Sequence, residues 1–229
     1  AAEGDIVHFV NEIFVAFNPY AQSKRISFKF ESQQPHISIY FDRDKLEKVL
    51  YNLLSNALKF TPEGGDIKLS VHVLPGGGGS SFAEGAVVIN VEDNGAGIQQ
   101  QHLEKIFERF AHFSDPKKNI NGTGLGLSFS KGLAELHHGE LTVKSTAADD
   151  MQAGYTCFSV KLPLGKAHLT AGEIVPDFQD SENIEQYYQP EKTLPVPLIK
   201  TAEATGSEAD KPIMLVVEDN AEVLNFVAM

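Results

Sequence analysis

Asn121-Gly-Thr-Gly-Leu-Gly-Leu127 places glycines at alternate positions directly before a stretch with apolar residues at Phe129, Leu133 and Leu136. Glycines at the mouth of a helix leave unpaired backbone N–H groups pointing into a shared space, where phosphate or another anion is held. The spacing excludes two common phosphate loops. No Gly-Lys-Ser/Thr follows, as a Walker loop needs, and the third glycine comes one residue too early for a dinucleotide fingerprint. A simple hinge before the helix accounts for the glycines equally well, so other segments have to decide.

The segment Ala86 to Ile98 reads Ala-Val-Val-Ile-Asn-Val-Glu-Asp-Asn-Gly-Ala-Gly-Ile, a strand that breaks into a glycine turn. Period-two alternation puts Asp93 on the same face as Val87, Ile89 and Val91. A carboxylate on a buried face needs a hydrogen-bond partner, since leaving it unpaired costs ~1–3 kcal/mol. A purine amino group meets that need, and so does the turn Asn94-Gly95 following Asp93. Gly95 and Gly97 let the backbone approach a flat ring closely.

Between positions 42 and 60, Leu46, Val49, Leu50, Leu53, Leu54 and Ala57 recur at helical spacing. Asp42 or Asp44 suits the N-cap, and Thr61-Pro62 stops the helix. Asn52, Asn56 and Lys59 fall within roughly 60° of one another at ~100° per residue, beside the apolar stripe. Two amides and an ammonium thus line one edge. An amide oxygen enters a Mg²⁺ shell without adding charge, and lysine meets phosphate as a point charge. Such a face is also common on a merely solvated helix. Ile106-Phe-Glu-Arg109-Phe110 follows the glycine turn, with Phe107 and Phe110 expected in the core and Arg109 able to reach a terminal phosphate. The polar stretch from Ala111 to Asn121, with Lys117 and Lys118, has the length of a nucleotide lid or of an ordinary surface loop.

The remaining elements follow from periodicity. A helix is expected over residues 5–22 and strands near 26–30, 37–41, 66–73, 86–93, 140–145 and 154–162. Shorter helices are expected near 100–109 and 124–137, the latter with Gly139 as its C-cap. The run Gly76 to Ser81 reads as a loop, natural or spliced. Strands and helices in this order, without regular parallel crossovers, give an α/β fold: a two-layer sandwich, one mixed sheet with helices on one face. From Gly165 to Asp210 apolar periodicity gives way to Pro, Glu, Gln, Ser and Thr, as in a linker. Pro212-Ile-Met-Leu-Val-Val-Glu-Asp then restarts as a buried strand ending in acids.

Composition narrows the partners. A net charge of -12 over 229 residues repels phosphate backbones, so no nucleic acid is expected on this domain. The single cysteine, Cys157, rules out an internal disulfide and reads as a packing residue. No apolar run approaches the ~18 residues of a membrane helix.

Taken in order, these segments resemble the catalytic domain of the bacterial sensor histidine kinases, which has the Bergerat ATP-binding fold shared with DNA gyrase and the mismatch-repair ATPases. Asn52-Leu-Leu-Ser-Asn56-Ala-Leu-Lys59-Phe60-Thr61 resembles the N box, Asp93 to Ile98 the first glycine box, Ile106 to Phe110 the F box and Gly122 to Leu127 the second glycine box. Gly154-Tyr-Thr156-Cys-Phe resembles the last small glycine box. The resemblance implies ATP and Mg²⁺ as cofactors and transfer of the γ-phosphoryl group to a histidine. It implies that Asn56 ligates Mg²⁺, that Lys59 and Arg109 contact phosphate, and that Asp93 accepts from the adenine amino group. Asn52 would stand near the transfer site, and Phe60 and Ile98 would line the base. Gly95 and Gly97 would approach the base, Thr156 would be a further cofactor-binding residue, and Gly122, Thr123, Gly124, Leu125, Gly126 and Leu127 would supply the backbone donors to the phosphates.

The resemblance further implies a division into a helix at 1–22 leading from a dimerisation domain, a catalytic domain at 23–164, a linker at 165–210 and the start of a receiver domain at 211–229, with Glu218 and Asp219 as its Mg²⁺-binding acids. The parent would be a hybrid kinase and a homodimer, anchored in the membrane with this domain in the cytoplasm. Its partners would be the dimerisation domain and the receiver of the same chain. The family's acceptor histidine precedes an acidic residue and a Leu-Arg-Thr-Pro-like run, whereas His8 precedes Phe-Val-Asn. The chain is therefore expected to bind ATP without completing autophosphorylation. An ATPase of the same fold typically carries glutamate where Asn52 stands, and a regulatory nucleotide binder would not need the phosphate-contacting residues.

Overall fold

The computed structural model describes residues 1–77, 82–111, 124–149 and 152–175. These all lie within the first of two compact units, residues 1–182. The readings made for the lid stretch, for Gly122 and Thr123, and for residues 176–229 with Glu218 and Asp219 lie outside the described residues.

A short strand, β1 (Ala2–Asp5), opens the chain and was not anticipated, because Ala-Glu-Gly-Asp has no apolar alternation to signal it. It pairs antiparallel with β3 (Ser38–Phe41) in a separate two-stranded ribbon. Between them run α1 (Ile6–Ser23) and β2 (Ser27–Ser32). Asp5 caps α1, its Oδ1 accepting from the Val7 and His8 backbone N–H groups at 3.0 and 3.4 Å. The helix is built into the core. Ile6, Phe9, Val10, Ile13, Phe17 and Ala21 are buried, Phe9 meets Phe41, and Phe14 meets Phe28 of β2.

The long helix α2 (Arg43–Phe60) begins at Asp42, whose Oδ1 accepts from the Lys45 N–H at 3.0 Å, so Asp42 rather than Asp44 is the cap. Leu46, Val49, Leu50, Leu53 and Leu54 are fully buried on its inner face. Each stabilises the fold by roughly 1.5–3 kcal/mol relative to leaving it exposed. The helix ends where Thr61 turns extended before Pro62.

The main sheet adds β4 (Asp66–Leu74), β5 (Ala86–Asp93), β6 (Glu140–Thr146) and β7 (Tyr155–Pro163) to β2, in the order β2-β4-β5-β7-β6. β2 and β4 are parallel and the other pairs antiparallel, so the sheet is mixed. Ile67, Leu69, Val71, Val87, Ile89, Val91, Phe158 and Val160 face the helices. The opposite face is polar, with Lys68 against Glu92 at 3.3 Å and Tyr155 donating to Glu92 at 3.0 Å. The expected α/β sandwich is present, except that the strand at 38–41 belongs to the ribbon.

The final helix, α3 (Gly126–Leu136), packs on α2, β6 and β7 through Ser130, Leu133 and Ala134. Phe129 and Leu136, read as part of its apolar stripe, are exposed. At its C-terminus the left-handed residue is His138 (φ 55°), not Gly139. Gly139 is needed for another reason: a Cβ there would lie 2.4 Å from the Lys161 carbonyl oxygen. The short helix expected at 100–109 is reduced to one 3-10 turn, Gln100–His102, followed by irregular turns. Residues 165–175, expected as linker, include an ordered 3-10 turn at Ala171–Glu173 closed by a capping box from Thr170 to Glu173.

Candidate functional site

β5 delivers Asp93 to the end of the sheet, directly opposite Ile67 on one neighbour and Thr156 on the other. Asp93 and Thr156 are 7% and 5% exposed, so a carboxylate and a hydroxyl stand buried side by side on the helix-facing surface. Asp93 Oδ1 accepts the Gly95 N–H at 2.9 Å. The turn following the strand therefore supplies the partner that the buried acid requires. Burial nevertheless dominates, pushing the Asp93 pKa up to about 6 against the lowering effect of that N–H. A further donor from a ligand would stabilise the ionised form.

The glycines of this turn are there for contact. A Cβ on Gly95 would lie 2.6 Å from the Phe60 carbonyl oxygen at the end of α2, and one on Gly97, at φ 67°, would lie 1.9 Å from the Thr146 carbonyl oxygen. Gly154 closes the third side, with a Cβ position 2.2 Å from the Gly95 carbonyl oxygen. Three backbone segments thus meet beside Asp93, and no side chain larger than hydrogen fits between them. The Ile98 N–H donates to Ser145 Oγ at 2.8 Å, tying the turn to β6.

α2 spans the distance from this turn to α3. Phe60 touches Gly95, while Asn52 touches Gly126 at the first turn of α3, where a Cβ would lie 2.3 Å from Asn52 Oδ1. Those two contacts are separated by about 12 Å of helix rise. Asn52 Nδ2 donates to the buried Ser130 Oγ at 2.9 Å, so the amide is fixed between the helices. Asn56, one turn further on, is half-buried, and Lys59 and Phe60 are exposed, the Lys59 ammonium lying 5.6 Å from the Phe60 ring centroid. One edge of α2 therefore presents amides and an ammonium between a buried carboxylate at one end and a helix N-terminus at the other.

The segment after the turn is anchored differently from expectation. Ile106 is buried and Phe107 meets Phe158 edge-on at 6.5 Å, but Phe110 is 68% exposed. It is the Phe110 backbone that is held: φ is 63°, its N–H donates to the Gly124 carbonyl at 2.9 Å, and Gly124 packs against it at φ 66°. Arg109 is exposed on this turn. Leu125 is partly exposed and Leu127 half-buried at the start of α3, and Leu125 at the N-cap makes no side-chain hydrogen bond to the helix.

The structure brings Asp93, Gly95, Gly97, Ile98 and Thr156 together at one end of α2, and Asn52, Gly124 and Gly126 at the other. Sequence reasoning missed Ser130 and Ser145. Ser145 had a signal: it continues the inward alternation of Leu141 and Val143, where a hydroxyl is out of place unless bonded. Among the described residues no group of three or more His, Cys, Asp or Glu side chains is placed to hold a metal. A Mg²⁺ ion here would take its ligands from Asn56, phosphate oxygens and water, a set suited to a hard cation that keeps part of its hydration. No described helix is long and apolar enough to cross a membrane.

Comparison with known proteins agrees with this fold. Residues 41–166 match the family described as histidine kinase-, DNA gyrase B-, and HSP90-like ATPase. Histidine kinase P4 of Formosa agariphila is 39% identical over 231 residues, covering 99% of this chain and 16% of that protein. Sensor histidine kinase TmoS of Ectopseudomonas mendocina is 36% identical over 228 residues, covering 97% of this chain and 22% of that protein. The chain thus spans less than a quarter of either relative. The nucleotide-free catalytic domain of histidine kinase ThkA superposes with a TM-score of 0.54 at 25% identity, covering 70% of this chain and 94% of that one. Full-length ShkA in complex with AMPPNP gives a TM-score of 0.55 at 25% identity, covering 73% of this chain and 32% of that one. With its buried aspartate, its glycine turns and the match over residues 41–166, the chain belongs to the histidine kinase-, DNA gyrase B- and HSP90-like ATPase family.

Proposed function

We propose that the chain is the ATP-binding catalytic domain of a sensor histidine kinase, and that it transfers the γ-phosphoryl group of ATP to a histidine on a dimerisation domain of its parent protein. The observation that carries this reading is the buried pair Asp93 and Thr156 at one end of α2, with the uncapped N-terminus of α3 at the other. The acceptor pair suits the amino group of adenine, and the first N–H groups of α3 suit phosphate.

Asp93, Gly95, Gly97, Ile98, Phe60 and Thr156 hold the base, and Gly122 to Leu127 hold the phosphates. Asn56 would ligate Mg²⁺, which when bound neutralises phosphate charge. Lys59 and Arg109 meet the phosphates from the exposed rim, so alignment and charge stabilisation carry the reaction. The β-phosphate oxygen leaves as ADP while an imidazole nitrogen of the partner domain takes the phosphoryl group. Asn52 acts mainly by placing α3, since its amide nitrogen already donates to Ser130. That commitment, and the amide itself, disfavour a hydrolytic ATPase with a water-activating glutamate at this position.

The relatives' greater length supports a parent with further domains, and their names support a partner histidine in the same system. Residues 211–229 are read as the start of a receiver in a hybrid kinase, and the parent as membrane-anchored. Calorimetric titration of Mg²⁺-ATP into the chain tests the site. Saturable binding is expected, weakened in Asp93→Asn and Asn56→Ala. Phosphate appearing on a dimerisation domain supplied in trans tests the transfer. Binding without transfer would favour a regulatory nucleotide sensor.

A further inference from the structure

A row of polar side chains crosses the end of the sheet. Asp93 stands opposite Thr156, and Thr156 stands opposite Ser145, so the three lie side by side on the helix-facing surface. The Ser145 hydroxyl makes three contacts: to the Tyr155 carbonyl oxygen at 2.6 Å, to the Ile98 N–H at 2.8 Å and to Thr156 Oγ1 at 3.1 Å.

These contacts fix where the protons are. A hydroxyl has one proton to give and two lone pairs to accept with. The Tyr155 carbonyl can only accept, so at 2.6 Å it takes the Ser145 proton. The Ile98 N–H can only donate, so it occupies one Ser145 lone pair. What is left on Ser145 is a lone pair, and the contact at 3.1 Å is a hydrogen bond only when Thr156 is the donor. The Thr156 proton is thereby committed to Ser145, and only lone pairs are left on its oxygen, beside Asp93 in the sheet register. Two adjacent acceptors remain, one of them a carboxylate.

We propose that Ser145 is a positioning residue that sets the hydrogen-bond polarity of the base site. By taking the Thr156 proton it makes the site acceptor-only, so that a 6-aminopurine nucleotide is selected over a 6-oxopurine nucleotide. A 6-amino group donates two hydrogens toward such a site, while a 6-oxo group brings a lone pair against two others. This selectivity rests on the ATP-site reading above, but it is carried by β6, outside the segments that suggested that reading. Without Ser145, the Thr156 hydroxyl is free to rotate and to donate to an oxo group.

The test compares Mg²⁺-ATP with Mg²⁺-ITP, whose purine carries an oxo group at C6 and a proton on N1 where adenine has an amino group and a bare nitrogen, by calorimetric titration of the 229-residue chain. The wild-type chain is expected to prefer ATP, and Ser145→Ala to narrow the ATP-to-ITP affinity ratio about five- to tenfold, the scale of one redirected hydrogen bond. A general loosening of the sheet would lower both affinities in proportion and leave the ratio alone. A wild-type ratio in Ser145→Ala overturns the proposal, as does a wild-type chain that binds both nucleotides equally. A wild-type chain that binds neither overturns the ATP reading itself. Should Ser145→Ala fail to fold, Thr156→Val carries the test: with one of the two acceptors gone it is expected to narrow the ATP-to-ITP ratio, Asp93 keeping the remainder, and an unchanged ratio there overturns the proposal.

Discussion

The α-carbon of Gly126 approaches the Asn52 side chain so closely that a methyl group on it would lie 2.3 Å from the amide oxygen. The third glycine of the 122–127 loop thus serves helix packing. Because Asn52 is also bonded to Ser130, the N-terminus of α3 is held against the middle of α2 by a two-point contact.

Gly126→Ala is therefore expected to destabilise the fold by about 1–3 kcal/mol, as overpacking against a fixed side chain does. Asn52→Ala in the same chain should recover part of that loss, because the obstructing amide is gone. A double-mutant cycle by urea unfolding checks it, with a coupling of at least ~0.5 kcal/mol expected between these touching residues. Strict additivity would mean that the two helices are not packed through this contact.

Two other glycines should respond with opposite signs. Gly97 has φ 67° and a Cβ position 1.9 Å from the Thr146 carbonyl oxygen, so Gly97→Ala must move backbone and should cost at least ~2 kcal/mol. Gly132 lies inside α3 with nothing within 4 Å of its Cβ position. Gly132→Ala should instead stabilise by about 0.5–1 kcal/mol through helix propensity. Thermal unfolding of both variants measures the contrast.

Asp93 is expected to trade stability for binding. Its pKa is raised from 3.8 to about 6 by burial, so the folded chain binds this proton more tightly than the unfolded chain does. The resulting penalty is absent below about pH 4 and complete above about pH 6, where it reaches roughly 3 kcal/mol. Asp93→Asn removes the charge and retains an oxygen for the Gly95 N–H. The variant should melt above wild type at pH 7.5, the gap closing as pH falls to about 4. Nucleotide affinity should move the other way, weakened in the variant and declining in wild type as pH falls through about 6. Melting curves and titrations across that range read both.

His137 offers a change that spares the site. It is buried, Nδ1 donates to the Leu133 carbonyl at 2.7 Å, and Nε2 accepts the Asp42 N–H at 3.1 Å, linking the end of α3 to the cap of α2. His137→Ala should cost about 2–4 kcal/mol through the lost bonds and the cavity. Its nucleotide affinity, measured well below the melting temperature, should stay near wild type.

Much of the fold was legible because α2, β4 and β5 carry clean periodicities over long stretches: Leu46 to Ala57 at helical spacing, Ile67 to Val71 and Val87 to Asp93 by alternation. Shorter or irregular pieces were less so. β1 has no apolar pattern and exists only because β3 offers it an edge. Phe110 reads as a core residue by type, but a left-handed backbone bound to Gly124 turns its ring outward. Gly139 looks like a cap, yet the tertiary approach of Lys161 is what demands it.

The sequence by itself determined the chemistry on offer: a carboxylate placed by alternation on a buried face, glycine turns beside it, and amides along one edge of a helix. Each depends on neighbours within a few positions, where backbone geometry is nearly independent of the rest of the chain. Only the tertiary structure decided which hydroxyls complete the site and what the glycines are for. Asp93 lies on a strand distant in sequence from the neighbouring strands of Ser145 and Thr156, and the alignment of the three is set by sheet register. Register and helix packing are summed over many contacts along the whole chain, so no local pattern can specify them.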